Sequence, residues 1–205
     1  MKKIFLFLLI IFIHIHANAQ FNAGLKAGFN FVSLVDNTKN HNITFNPEYK
    51  LTYHFGITSN FSIANNWSLT ADLLISNKGY KLPYLKVNFS YLVLPLLLNY
   101  NLSKKFKIQV GPELGIRINN YTIFQGDYIS NSWKELYDFG SALGFEYSLN
   151  DSFMLTARYT RGLLTLKKSL ELTDDEGNIN QIITRIYNSC FQFSITYFLF
   201  KAKEN

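Results

Sequence analysis

Little in this 205-residue chain can cross-link it, and nothing after its first residues could cross a membrane as a helix. It has one cysteine, Cys190, so no internal disulfide can form. After residue 19 no stretch approaches the ~20 consecutive apolar residues that a spanning helix requires. Charged residues make up 17%, against roughly 25% in soluble domains. The lysines and arginines behind the net charge of +6 are scattered rather than gathered into a stripe, which speaks against nucleic acid as a partner. Prolines number four, and two of them, Pro95 and Pro112, sit inside alternating segments, where a missing ladder hydrogen bond predicts a bulge or kink. Histidines are also four: His14 and His16 precede residue 19 and His41 lies in a polar connection, so His54 has no companions for a metal site.

What is present begins with an export signal. Met1-Lys2-Lys3, an apolar run from Ile4 to Ile15 and Ala17-Asn18-Ala19 before Gln20 form a charged start, a short apolar stretch and a small-residue cleavage site near Ala19. Residues 1–19 read as the signal peptide and residues 20–205 as one domain.

Aromatic residues reach 17%, and they follow a period of two. In "YHFGITSNFSI", Tyr53, Phe55, Ile57, Phe61 and Ile63 share one parity and His54, Gly56, Thr58, Asn60 and Ser62 the other, the pattern of a strand with one apolar and one polar face. The same alternation recurs over residues 23–31, 67–76, 106–117, 137–147, 153–160 and 187–197. Residues 89–102 form an eighth segment, apolar on both parities, in which Leu92, Leu94, Leu96, Leu98 and Tyr100 are assigned outward. Segments of ~10 to 14 residues exceed the usual soluble strand and suit tilted membrane strands. Short connections at residues 64–66, 103–105 and 150–151 alternate with long ones at 34–50, 80–88, 119–134 and 164–186, the asymmetry of periplasmic turns and external loops. Phe61, Trp67, Tyr100, Phe106, Tyr147, Phe153 and Tyr197 flank the short turns or end the last strand on the outward parity, and read as an aromatic girdle at a lipid headgroup level. The fold class is therefore all-β, an eight-stranded antiparallel up-and-down transmembrane β-barrel in contact with outer-membrane lipid.

Inward positions carry Lys26, His54, Asp72, Lys78, Lys107, Glu113, Arg117, Asp138, Glu146 and Arg158. The interior of an eight-stranded barrel is only wide enough for side chains, so these mixed charges predict a filled lumen rather than a channel. The expected charge network comprises Lys26, Asp72, Lys107, Glu113, Arg117, Asp138, Glu146 and Arg158. His54 reads as a hydrogen-bonded lumen histidine and Cys190 as a small inward packing residue. A lipid-acting enzyme would need a nucleophile with a base beside it, and outward Ser59, Ser141 and Ser189 have no outward histidine near them; no enzyme activity, cofactor or metal is expected. "LTDDEGNIN", residues 172–180, reads as a solvated acidic turn.

The stretches "GLKAGFNF", "FGITSNFSIANNWSLTADLLISNKGYK", "YLVLPLLLNY", "VGPELGIRI", "DFGSALGFEY" and "LTARYTRGL", in that order, resemble the PorT-like, porin-like outer-membrane β-barrel family of Bacteroidetes. Val93 stands where that family often has a carboxylate. The resemblance implies a bacterial outer-membrane location and a family in which some members serve type IX secretion and gliding. The expected function is a small barrel of structural or scaffold type with a filled lumen, not an open porin. The alternative is an accessory or binding subunit of an outer-membrane assembly, with a protein partner held by the external loops, where Phe45, Tyr49, Tyr121, Phe124, Tyr128 and Trp133 supply anchors.

Overall fold

Alternation becomes a closed ladder in the computed structural model, which describes residues 21–36, 47–82, 85–129, 136–165, 169–173, 179–183 and 186–201. The expected signal segment, Phe45 and Trp133 lie outside the described residues. Strands are β1 (Phe21–Asp36), β2 (Lys50–Ala64), β3 (Trp67–Leu82), β4 (Leu85–Asn101), β5 (Phe106–Phe124), β6 (Asp127–Ile129), β7 (Tyr137–Ser148), β8 (Phe153–Gly162), β9 (Ser169–Thr173), β10 (Ile179–Ile183) and β11 (Ile186–Phe200). Eight of these close a ring in the order β1-β2-β3-β4-β5-β7-β8-β11, every neighbour antiparallel, with β11 returning to β1. Closure leaves the ring without the free edge that would strand backbone groups in hydrocarbon. β6 hangs on β5 as a short return, and β9 and β10 form a separate hairpin.

The eight expected segments fall on the eight ring strands, and the short turns hold where local chemistry closes them. Ser103 Oγ accepts from the backbone N–H of Lys105 and Phe106 at 3.3 and 3.1 Å; Asn150 Oδ1 accepts from those of Ser152 and Phe153, both at 2.9 Å. Three connections differ from expectation because the strands outrun the membrane. Residues 80–88 are not a long loop, since β3 and β4 stay paired to Leu82↔Leu85. Residues 119–134 open as strand, because β5 continues to Phe124 and folds back on β6 through Gln125 and Gly126. Both turn residues have positive φ (50° and 101°), the requirement of a two-residue hairpin whose twist matches its strands. Residues 164–186 contain the β9–β10 hairpin, and the tip of the acidic turn lies outside the described residues.

The prolines interrupt pairing without shifting register. β3–β4 pairing passes from Ala71↔Leu96 to Leu74↔Val93 over Pro95, which stays paired to Glu113 on β5. β4–β5 pairing passes from Pro95↔Glu113 to Leu98↔Val110 over Pro112, which stays paired to Ser141 on β7. Each proline lacks a donor toward one neighbour only, so a skipped pair suffices and the expected bulge is absent there. Register shifts occur instead at Ala23/Gly24, Ser62/Ala64 and Ser90/Tyr91.

Outside, the barrel is apolar: Leu25, Phe29, Phe55, Ile57, Leu73, Val110, Leu114, Leu143, Phe145, Phe193 and Ile195 are all exposed. In β4 the outward assignment of Leu92, Leu94, Leu96 and Leu98 holds, with Tyr91, Val93 and Leu97 buried. Both parities of β4 are apolar because its inward face joins Leu34, Leu74, Tyr80, Val87, Phe89 and Ile186 in an apolar plug across the external half of the lumen. Leu143 stands 58% exposed midway along β7 and should discriminate lipid from water as its surroundings. Leu143→Arg should cost roughly 2–4 kcal/mol of barrel stability in urea titrations from phosphatidylcholine vesicles, while Leu143→Ala should fold normally. Equal tolerance of the two would mean an aqueous exterior.

Candidate functional site

Alternate positions of the eight strands point into the lumen, and there the charges sort into two clusters. In the first, Lys26 Nζ on β1 donates to both oxygens of Asp72 on β3 at 3.1 and 2.9 Å. Arg158 Nη2 on β8 reaches Asp72 Oδ2 at 3.0 Å and Gln109 Oε1 at 3.3 Å, and Thr58 Oγ1 donates to Asp72 Oδ1 at 2.5 Å. One carboxylate thus holds two cations, Lys26 from two strands away and Arg158 from the opposite wall. The second cluster inverts that pattern. Lys78 Nζ lies 2.8 Å from Glu113 Oε1 and 3.0 Å from Asp138 Oδ2, Asn188 Nδ2 donates to the same Asp138 oxygen at 2.8 Å, and the ammonium stands 5.4 Å from the centre of the Tyr91 ring. Arg117 lies over the Phe89 ring at 5.5 Å.

The expected single network is therefore two, and its membership changes. Lys78 is the bridge of the second cluster although it stands outside the expected set. Lys107 and Glu146 face each other in register at the periplasmic end, but among the described residues neither makes an ion pair, and both Glu146 carboxylate oxygens lack a hydrogen-bond partner. Lys107 departs for a physical reason: it is the second residue of β5, beside the turn, and stays partly exposed where water competes.

His54 is held by residues that inward parity does not single out. Asn30 Nδ2 donates to Ser76 Oγ and to the carbonyls of Tyr53 and Asn77, which turns Asn30 Oδ1 toward His54 Nδ1 at 2.6 Å. That oxygen can only accept, so Nδ1 carries the proton and Nε2 accepts from Ser194 Oγ at 2.7 Å. Serine, imidazole and amide stand in the order of a nucleophile, base and orienting group. Ser194, His54 and Asn30 are 8, 1 and 0% exposed, so the relay is enclosed and its effect is to tie β11, β2 and β1 together. Nearer the periplasmic end, Asn60 and Asn99 amides donate to Ser68 and Thr70 hydroxyls. Cys190 is free and buried. Among the described residues no group of three or more His, Cys, Asp or Glu could hold a metal ion.

At the periplasmic rim the girdle rings meet in pairs. Trp67 and Tyr100 lie 4.8 Å apart between centroids, Phe106 and Tyr147 4.7 Å, Phe153 and Tyr197 5.0 Å, and Phe61 pairs at 5.0 Å with Phe21. Phe21 escapes the sequence pattern because it lies ahead of the first clear alternation, which begins at Ala23. With it, each ring strand contributes one aromatic side chain.

Residues 17–168 match the family described as outer membrane protein beta-barrel domain. Among curated proteins no sequence matches significantly. Solved structures of similar shape include Ail, the attachment invasion locus protein of Yersinia pestis, at TM-score 0.48 and 11% identity over 87% of this chain and 98% of that one. Neisserial surface protein A aligns at TM-score 0.47 and 12% identity over 88% and 98%. OprG from Pseudomonas aeruginosa aligns at TM-score 0.40 and 18% identity over 88% and 95%.

Removing the shared carboxylate of the first cluster should be far worse than removing one of its cations. Asp72→Asn leaves Lys26 and Arg158 buried without a counter-charge and should cost about 3–5 kcal/mol, whereas Lys26→Met leaves Arg158 on Asp72 and should cost much less. Urea unfolding of vesicle-inserted protein measures both, and similar costs would mean that Asp72 is not the shared anchor.

Proposed function

Because this chain belongs to the outer membrane protein beta-barrel domain family, we propose that it serves as a closed outer-membrane barrel of scaffold type, anchored in lipid and carrying its specificity outside. The observation behind this reading is the filled lumen: the Asp72 cluster toward the middle and, outside it, an apolar plug of Leu34, Leu74, Tyr80, Val87, Phe89, Tyr91, Val93 and Ile186 against which the Lys78 cluster packs. Apolar constrictions oppose hydrated ions by dewetting, and Asp72, Glu113 and Asp138 are each already engaged by a lysine or an arginine. Enzyme activity has no part in this reading, since the Ser194–His54–Asn30 relay is enclosed. Export through cleavage near Ala19 does belong to it. In planar bilayers the refolded protein should give no sustained conductance steps, and large reproducible steps would overturn the closed-barrel reading.

A second reading is favoured by one feature, the β5–β6 hairpin. β6 ends the strand order beyond β5, and Phe124 and Tyr128 are exposed at the turn. An exposed strand edge beside aromatic anchors suits addition of a partner's strand. This would make the barrel an accessory subunit, of the PorT-like kind that serves type IX secretion and gliding. Trimming residues 123–132 should leave membrane insertion and heat-modifiable gel migration intact while abolishing co-purification of a partner from gently solubilised membranes. Wild-type protein that extracts alone, with no crosslinked neighbour in cells, would leave the scaffold reading only.

A further inference from the structure

The outward face of the barrel does not end with the hydrocarbon. Lys81 lies fourteen residues beyond Trp67 along β3, and Lys86 fourteen residues beyond Tyr100 along β4. At ~3.4 Å per residue and a tilt of about 40°, that is about 35 Å above the periplasmic girdle, against an apolar band of about 25 Å. This row therefore stands about 10 Å outside the hydrocarbon edge, at the level of lipid headgroups. Lys81 and Lys86 are directly opposed in the ladder, and like charges so placed destabilise a sheet. Glu48 pairs with Lys81 at 3.0 Å in an exposed, weakly stabilising contact. Lys86 is exposed and has no ion pair among the described residues. The same row continues through Ile123 to Tyr128, and Tyr128, 77% exposed, packs against Tyr121 with ring centres 5.8 Å apart.

We propose that this outward face of β3, β4, β5 and β6 binds the phosphorylated sugar headgroup of an external-leaflet glycolipid. Lys81 and Lys86 take the phosphate, whose charge relieves their mutual repulsion, and the Tyr121–Tyr128 pair offers ring faces and hydroxyls to the sugar. The position commits the site to a membrane-borne ligand, because below two further rows, Gly79–Asn88–Tyr121 and Asn77–Ser90–Asn119, the same face turns apolar at Ile75, Leu92 and Ile116, where the ligand's acyl chains lie. Pairing of phosphate with lysine at a solvated surface weakens with salt, so binding should fall as ionic strength rises.

The test uses full-length protein refolded in detergent micelles and titrated under native mass spectrometry with bisphosphorylated lipid A, the same lipid after phosphatase treatment, and phosphatidylglycerol. The phosphorylated glycolipid should bind about tenfold or more tighter than either comparison lipid. The double variant Lys81→Gln/Lys86→Gln should lose that preference, whereas Lys104→Gln/Lys105→Gln, the same charge change at the periplasmic turn, should keep it. Tyr121→Ala should weaken both lipid A forms alike. Heat-modifiable migration verifies that each variant is folded, and the phosphatase comparison reads the site in the unaltered protein. Equal binding of the two lipid A forms, equal binding of phosphatidylglycerol, or full affinity in the Lys81/Lys86 double variant would each overturn the proposal.

Discussion

Inside a closed sheet, an inward side chain on the strand between two others obstructs contact across that strand, and a glycine there opens the path. Three lumen contacts use such an opening. His54 and Ser194 both face Gly28, one from each side, and bond across it. Arg158 and Gln109 both face Gly144 and bond across β7. Lys26 faces Gly56 and crosses β2 to reach Asp72. A Cβ on Gly28 would lie 2.8 Å from His54 Cε1, and one on Gly144 2.8 Å from Gln109 Nε2, both inside the closest approach that a carbon tolerates. The polar interior thus depends on three absent side chains as much as on the charged ones present.

The periplasmic rim is held by an alternation of covalent and non-covalent links. Short turns join β2 to β3, β4 to β5 and β7 to β8. Ring pairs join β1 to β2, β3 to β4, β5 to β7 and β8 to β11, the strands whose chain connections lie at the far end or elsewhere. Every strand boundary at this end therefore has a turn or an aromatic pair except the seam between β1 and β11. Aromatic contacts contribute ~0.5–1.5 kcal/mol beyond their buried area, and the rings occupy the headgroup level besides. One residue type meets two demands, which is why the girdle parity is so regular.

Fold and facing are legible in the sequence because a period of two is a local property. Residues 53–63 or 106–117 declare their wet face without reference to any other strand. Which charges meet is not legible, since Asp72 finds Arg158 across the lumen through the stagger of the whole ring, which no single segment encodes. Lys78 escapes the expected network for the same reason, and Lys107 enters it because parity says nothing about distance from the rim. Membrane depth is not encoded either. β3, β4 and β5 stay paired past the bilayer, with one register shift at Ser90/Tyr91, while their composition turns polar, so residues 80–88 resemble a loop. The Gln125–Gly126 turn lacks the asparagine or aspartate that marks most two-residue hairpins.

Buried ion pairs seldom add stability over an apolar core, so the two clusters need another account. Register supplies one. Slipping a strand by one residue would turn its apolar set inward, a change the hydrophobic pattern alone forbids. Slipping it by two would preserve both faces and leave the outside as apolar as before. It would also carry Gly28 away from the row of His54 and Ser194, Gly144 away from Arg158 and Gln109, or Gly56 away from Lys26, leaving charged or polar groups pressed against a wall in low dielectric. An uncompensated buried charge costs several kcal/mol, more than the few ladder hydrogen bonds that a slip forfeits at a strand end. The apolar exterior selects which face points outward, and the paired interior, with its glycines, selects how far each strand stands above its neighbour.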